Sequence, residues 1–170
     1  STGNYRPRRA AQTFVTSSPS MDISKASNFE RFIYLLLQKN SEDVTRLWND
    51  VASGQGFGLT NNLVEISERY GFVSGKSTHA DRVATIREVY QTDGELIDPH
   101  TADGVGVARR LRKPNETVIC AETALPAKFA ETIFEAVGDV NIPRPQASVG
   151  LEDLPQHVLV LANDANLVKA

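Results

Sequence analysis

Two short apolar runs, Thr117-Val118-Ile119-Cys120-Ala121 and Val158-Leu159-Val160-Leu161, read as β-strands and place the tightest limit on what this chain can fold into. The helical pattern between them makes the pair read as strands of a parallel sheet built from βα repeats. Two such strands do not form an independently stable parallel sheet, because parallel sheets are covered on both faces and assembled from several repeats. Their sheet neighbours are therefore expected outside these 170 residues. The predicted fold class is α/β and helix-rich, with few strands in this stretch.

Helical patterning dominates the remainder. Ser27 and Glu30 form an S-x-x-E pattern, the signature of a capping box, ahead of a stripe of Phe29, Phe32, Ile33, Leu36 and Leu37. Ser41 is expected to cap a second helix carrying Val44, Leu47, Trp48 and Val51, ended by Gly54-Gln55-Gly56. Thr60 opens a third, with Leu63, Val64 and Ile66 expected to face inward and Gly71 at its carboxyl end. A fourth is predicted over 78–92, with Val83, Ile86 and Tyr90 on one face, after a short extended piece at Phe72-Val73. Further helices are predicted over 101–112 and 126–137, the latter starting at Pro126 and closed by Gly138. Pro143, Pro145 and Pro155 mark the following connection as loop. The first ~20 residues lack helical periodicity and read as loop, with a short strand around Thr13-Phe14-Val15. The chain thus divides into a loop-rich opening segment, 1–26, a helical region, 27–92, and an α/β segment, 93–170. The start without methionine and the end inside a helical pattern suggest that both termini are cut.

Composition excludes several functions. A net charge of −3 with 23% charged residues gives no strong field to attract nucleic acid or an anionic membrane. The clusters Arg6/Arg8/Arg9 and Arg109/Arg110/Arg112/Lys113 read as solvated faces. No run approaches the ~20 apolar residues of a membrane span, and no secretory signal core is present. Cys120 is the single cysteine, which rules out an internal disulfide. Its apolar setting marks it as a buried small hydrophobe rather than a nucleophile, and a reducing, cytoplasmic compartment fits best.

Several motif fragments fail on spacing or context. Gly71-Phe72-Val73-Ser74-Gly75-Lys76-Ser77 has three residues between its glycines where a P-loop needs four, and it follows a helix rather than a strand. Gly104-Val105-Gly106 lacks the third glycine and the preceding strand of a dinucleotide fingerprint. His79, His100 and His157 have no metal-ligand spacing to one another or to other donors. His79-Ala80-Asp81 is read as a capped helix start, and His157 as exposed. The run Ser17-Ser18-Pro19-Ser20 lacks a nucleophile elbow and reads as a flexible loop or turn.

Three segments occur in a telling order: Met21-Asp22-Ile23-Ser24-Lys25-Ala26-Ser27-Asn28-Phe29-Glu30-Arg31-Phe32, then Asp98-Pro99-His100-Thr101-Ala102, then Thr123-Ala124-Leu125-Pro126-Ala127-Lys128-Phe129. Together they resemble the carboxy-terminal portion of the threonine synthase family, and the similarity is colinear over most of the chain. The resemblance implies a tryptophan synthase β-like architecture, the type II fold of pyridoxal-phosphate (PLP) enzymes. It also implies an enzyme that converts O-phospho-L-homoserine and water to L-threonine and phosphate. The cofactor serves there as electron sink, while the protein supplies a lysine, orientation and proton transfers. The family's Schiff-base lysine stands upstream in an F-K-D context that none of Lys25, Lys39, Lys76, Lys113, Lys128 and Lys169 has. No catalytic residue is therefore assigned here, and the chain is expected to be inactive alone, with the amino-terminal portion of the same protein as its partner. Thr2-Gly3-Asn4-Tyr5 resembles the family's phosphate loop, but its downstream context places it in a later connection. Gly106, where a bulkier residue is usual, departs from the pattern and should weaken its helix by about 1 kcal/mol relative to alanine.

The resemblance also suggests roles for individual residues. Thr123 matches the threonine that hydrogen-bonds the cofactor's pyridine nitrogen, and the plainer reading is a helix N-cap before Pro126. Asp98 and His100 match a segment of the cofactor pocket wall, and otherwise read as a capped helix start. Ser24, Asn28 and Arg31 flank a helix amino terminus suited to the substrate phosphate, while Ser27 capping that helix is the plainer alternative. Two other readings stay open: a related PLP-dependent phospho-amino-acid lyase, and a free-standing helical interaction module without enzymatic activity.

Overall fold

The computed structural model describes residues 3–8, 12–162 and 164–169. Its helices are α1 (Pro19–Asp22), α2 (Phe29–Leu36), α3 (Ser41–Ala52), α4 (Leu63–Glu68), α5 (His79–Asp93), α6 (Pro99–Leu111), α7 (Ala130–Val137) and α8 (Ala165–Lys169). One antiparallel pair joins β1 (Asn4–Tyr5) to β2 (Phe57–Gly58), with Asn4 opposite Gly58 and Tyr5 opposite Phe57.

Apolar stripes at helical spacing on α2 and α3 make the first core. Ile33 and Leu36 pack with Val44, Leu47 and Val51, and Phe57 and Leu59 close the cluster. Tyr5 extends it through rings: its centroid lies 5.3 Å from Phe29, 6.1 Å from Trp48 and 5.0 Å from Phe57. Such pairs add roughly 0.5–1.5 kcal/mol each beyond the area they bury. The loop-rich opening segment is thereby fastened to the helices. Gly56 permits the contact, since its φ is +71° and a Cβ there would lie 2.3 Å from the Tyr5 carbonyl oxygen.

A second core holds α5, α6 and α7 together through Val83, Ile86, Ala102, Ile133 and Ala136. The Thr78 hydroxyl accepts from the Asp81 amide while Asp81 accepts from the Thr78 amide, a complete capping box at the start of α5. Gly106 is explained by packing rather than by propensity. It is buried where α6 crosses α5, and a Cβ would stand 3.1 Å from Thr85 Oγ1.

The structure departs from the sequence reading at several elements. Residues 117–121 and 158–161 form no strand, and they are exposed apart from half-buried Cys120; Ile119 is 91% exposed and Val160 88%. No described strand lies beside either run, and a lone strand leaves its backbone donors and acceptors to water. Residues 13–15 likewise form no strand. The Ser27 capping box does not form, because the chain turns once more before α2 and leaves Asn28 at the N-cap without a side-chain bond. Asn40, not Ser41, caps α3 by accepting from the Glu42 and Asp43 amides. Val64 is 66% exposed, since α4 is only six residues long and turns Leu63 and Ile66 inward instead.

Candidate functional site

The amino terminus of α6 is the most densely bonded polar point among the described residues. Pro99 at the first helical position leaves the following amides to be capped, and the Asp98 carboxylate accepts from the backbone of His100 at 2.9 Å and of Thr101 at 3.4 Å. It also accepts from the Thr101 hydroxyl and from His100 Nδ1, the latter at 2.7 Å. Asp98 is fully buried, so every one of these bonds replaces lost hydration. The other ring nitrogen of His100, Nε2, accepts the Ser20 amide at 3.1 Å, and the ring meets Phe129 edge-on at 4.9 Å. An acceptor Nε2 requires that the proton sit on Nδ1, facing the carboxylate.

Beside it runs a second network. Arg82, 7% exposed at its side chain, donates through Nε to Asp103 Oδ1 at 2.7 Å and through Nη1 to Ser17 Oγ at 3.1 Å. Ser17 Oγ lies 2.8 Å from His79 Nδ1, and His79 Nε2 lies 2.9 Å from Glu135 Oε1. The serine run is therefore a docked turn and not a loose loop. Asp22 closes it by accepting from the Thr16 amide and hydroxyl, each at 2.8 Å.

The residues singled out in the sequence divide into three places. Asp98 and His100 come together as described, both turned inward. Thr123 stands exposed on the extended stretch before the 3-10 turn Pro126–Phe129, where Leu125 occupies the N-cap, so the helix-cap reading of Thr123 is not realised. Ser24 is tied to the backbone of Arg8, from whose amide it accepts at 2.9 Å. Asn28 and Arg31 are exposed, and Arg31 lines a surface depression of about 430 Å³ with Ser27, Glu30 and Tyr34. The Ala26 amide donates to Tyr5 Oη at 2.8 Å, which pins the chain between Ser24 and Asn28. A larger apolar hollow of about 770 Å³, lined by Tyr5, Phe29, Phe32, Leu63, Phe72 and Leu111 among others, contains none of these candidates.

Sequence reasoning missed Ser17, Ser20, Arg82 and Asp103. Their partners lie 21 to 80 residues apart, a separation that no local pattern encodes. As expected, His79 starts a capped helix and His157 is exposed. No described helix is long and apolar enough to cross a membrane, and no described cluster of histidine, cysteine and carboxylate side chains could hold a metal.

The backbone arrangement is that of a known enzyme segment. A crystal structure of PLP-bound threonine synthase from Brucella melitensis superposes on 99% of this chain and 35% of its own length, with a TM-score of 0.78 and 32% identity. The fold is thus the helix-rich carboxy-terminal part of the type II, tryptophan synthase β-like architecture. Residues 101–170 match the family model described as threonine synthase, C-terminal. Threonine synthase of Corynebacterium glutamicum is 50% identical over 171 aligned positions, and that of Methylobacillus glycogenes 47% over 170. The human protein threonine synthase-like 1 is 38% identical over 138 residues, which cover 80% of this chain. This chain belongs to the threonine synthase family and corresponds to its carboxy-terminal portion. It spans 35% of the length of the two bacterial relatives.

Proposed function

We propose that this chain is the carboxy-terminal part of a threonine synthase that converts O-phospho-L-homoserine and water to L-threonine and phosphate. The observation that carries this reading is 50% identity maintained across 99% of the chain. PLP, when bound, supplies the electron sink for the chemistry. Among this chain's residues, Thr123 would hold the cofactor by donating its hydroxyl to the pyridine nitrogen. The fit is chemical: the side chain is exposed, and a neutral hydroxyl leaves that nitrogen unprotonated where a carboxylate would not.

Asp98 and His100 form the wall. The buried carboxylate spends its acceptors on the α6 amides, Thr101 and the ring, so it orients His100 rather than touching a ligand. The ring in turn fixes the Ser20 backbone. Ser24, Asn28 and Arg31 bring donors to the substrate phosphate from the start of α2, where peptide N–H groups favour an anion. The exposed runs 117–121 and 158–161 pair with strands of the upstream portion, which contributes the lysine that carries the cofactor and completes the α/β segment 93–170. A cytoplasmic location suits the lone, half-buried cysteine.

The test is product analysis. Joined to the upstream portion that its relatives possess, the chain should release threonine and phosphate in equal amounts from O-phosphohomoserine. A keto acid in place of threonine would assign it instead to a related phospho-amino-acid lyase.

A further inference from the structure

Two pins tie the turn at residues 17–22 to the second core, and they come from different helices. His100, at the start of α6, holds the Ser20 amide at 3.1 Å. Arg82, on α5, holds the Ser17 hydroxyl at 3.1 Å while its Nε is anchored 2.7 Å from Asp103 on α6. Further along, the same strand of chain is tied to the opening segment through Arg8–Ser24 and Tyr5–Ala26. The stretch leading to Ser24, Asn28 and Arg31 is thus suspended between the two cores, and its placement depends on both ends.

We propose that Arg82 is a positioning residue, whose guanidinium, anchored on Asp103, holds Ser17 and so sets residues 24–31 in register with the α6 start that bears Asp98 and His100. The assignment rests on the reading of residues 24–31 as the substrate side. Arginine suits the task because its planar fork presents separate donors to two acceptors at once, which a lysine ammonium does not do in the same geometry. The Ser17 hydroxyl, which accepts from Arg82, also lies 2.8 Å from His79 Nδ1, and the other nitrogen of that ring lies 2.9 Å from Glu135 Oε1. The turn is therefore held to α5, α6 and α7 together. The pin also carries a cost: Ser18 Oγ and Asp103 Oδ2 are both buried with no protein partner among the described residues. Polar atoms left so are rare and tend to be kept where placement serves a working site.

Two variants that cut the pin from opposite ends test it in the protein joined to its upstream portion. Arg82→Lys keeps a positive charge beside Asp103 and loses the reach to Ser17; Ser17→Ala removes the acceptor together with the hydroxyl's contact to His79. Each should raise KM for O-phosphohomoserine about tenfold, the worth of one hydrogen bond to a charged group. Turnover at saturation should stay within about twofold, because neither side chain is assigned to the reacting groups. The effect of the double variant should fall well short of the product of the two single ones, since both delete the Arg82–Ser17 bond. Amide hydrogen exchange should accelerate at Ser18, Ser20, Met21 and Asp22 in both. Unchanged KM, multiplying effects, or exchange that stays as slow as in the unaltered protein would overturn the assignment. Should the unaltered protein fail to turn over phosphohomoserine, the proposed function fails, and the exchange measurement still decides whether Arg82 holds the turn.

Discussion

The Ser20 amide donates to His100 Nε2 at 3.1 Å, and this one bond fixes the tautomer of a ring whose Nδ1 lies 2.7 Å from the buried Asp98 carboxylate. His100→Ala would leave the Ser20 amide without its protein partner, cost the buried Asp98 carboxylate one of its hydrogen bonds and remove the ring packed on Phe129. The expected loss of stability is about 2–4 kcal/mol, from an unmade buried bond together with a truncated, packed side chain. Denaturant unfolding of the variant measures it, and a midpoint shift without a change of slope would register the loss as one of stability.

Burial separates two aliphatic residues that look equivalent in sequence. Ile133 is fully buried in the second core, whereas Val64 is 66% exposed on α4. Ile133→Ala should cost roughly 2–5 kcal/mol, while Val64→Ala should fall within about 0.5 kcal/mol of the original. Thermal melts of the two variants side by side check the contrast.

How much of this was legible beforehand depended on the range of the interactions. The helices α2, α3, α5, α6 and α7 were readable because periodic apolar residues and local caps act over three or four positions, as with Thr78 and Asp81. The strands failed because a strand needs a neighbour, and residues 117–121 and 158–161 have none among the described residues. The inner face of α4 escapes the sequence because a helix of six residues presents too little periodicity to fix it. At the site, His100 was marked by family resemblance alone. The reason for its placement, a bond to Ser20 eighty residues away, exists only in three dimensions.

Acidity provides an independent check on α5. Hydrogen bonds from the Thr78 hydroxyl and amide, both at 2.7 Å, hold the Asp81 carboxyl below its ordinary value of 3.8, with lesser help from Arg110 and Arg82. A depressed folded-state value means that this stabilisation is present above about pH 4 and is lost as pH falls through the folded value. Asp81→Asn should therefore flatten the acid side of the stability profile and leave the profile above neutrality parallel to the original. Unfolding measured from pH 5 down to pH 2 would reveal the difference.

Thr123 carries the chain's direct contribution to cofactor electronics in the proposed function. In the protein joined to its upstream portion, Thr123→Val should lower turnover by about 10- to 100-fold with PLP still bound, as expected for one lost bond of 1.4–2.8 kcal/mol. Thr123→Ser, which keeps the hydroxyl, should restore most of it. The cofactor's absorbance reports occupancy, and steady-state rates report the loss.

In the proposed function labour is divided: this chain supplies pocket walls and the upstream portion supplies the covalent anchor. Phosphate release from O-phosphohomoserine in the presence of PLP, measured for the chain alone and for the chain joined to that portion, tests it most directly. The prediction is no release above the uncatalysed rate from the chain alone and steady release, matched by threonine, from the joined protein. Turnover by the isolated chain, or a stoichiometric PLP adduct on one of its six lysines after reduction, would contradict it.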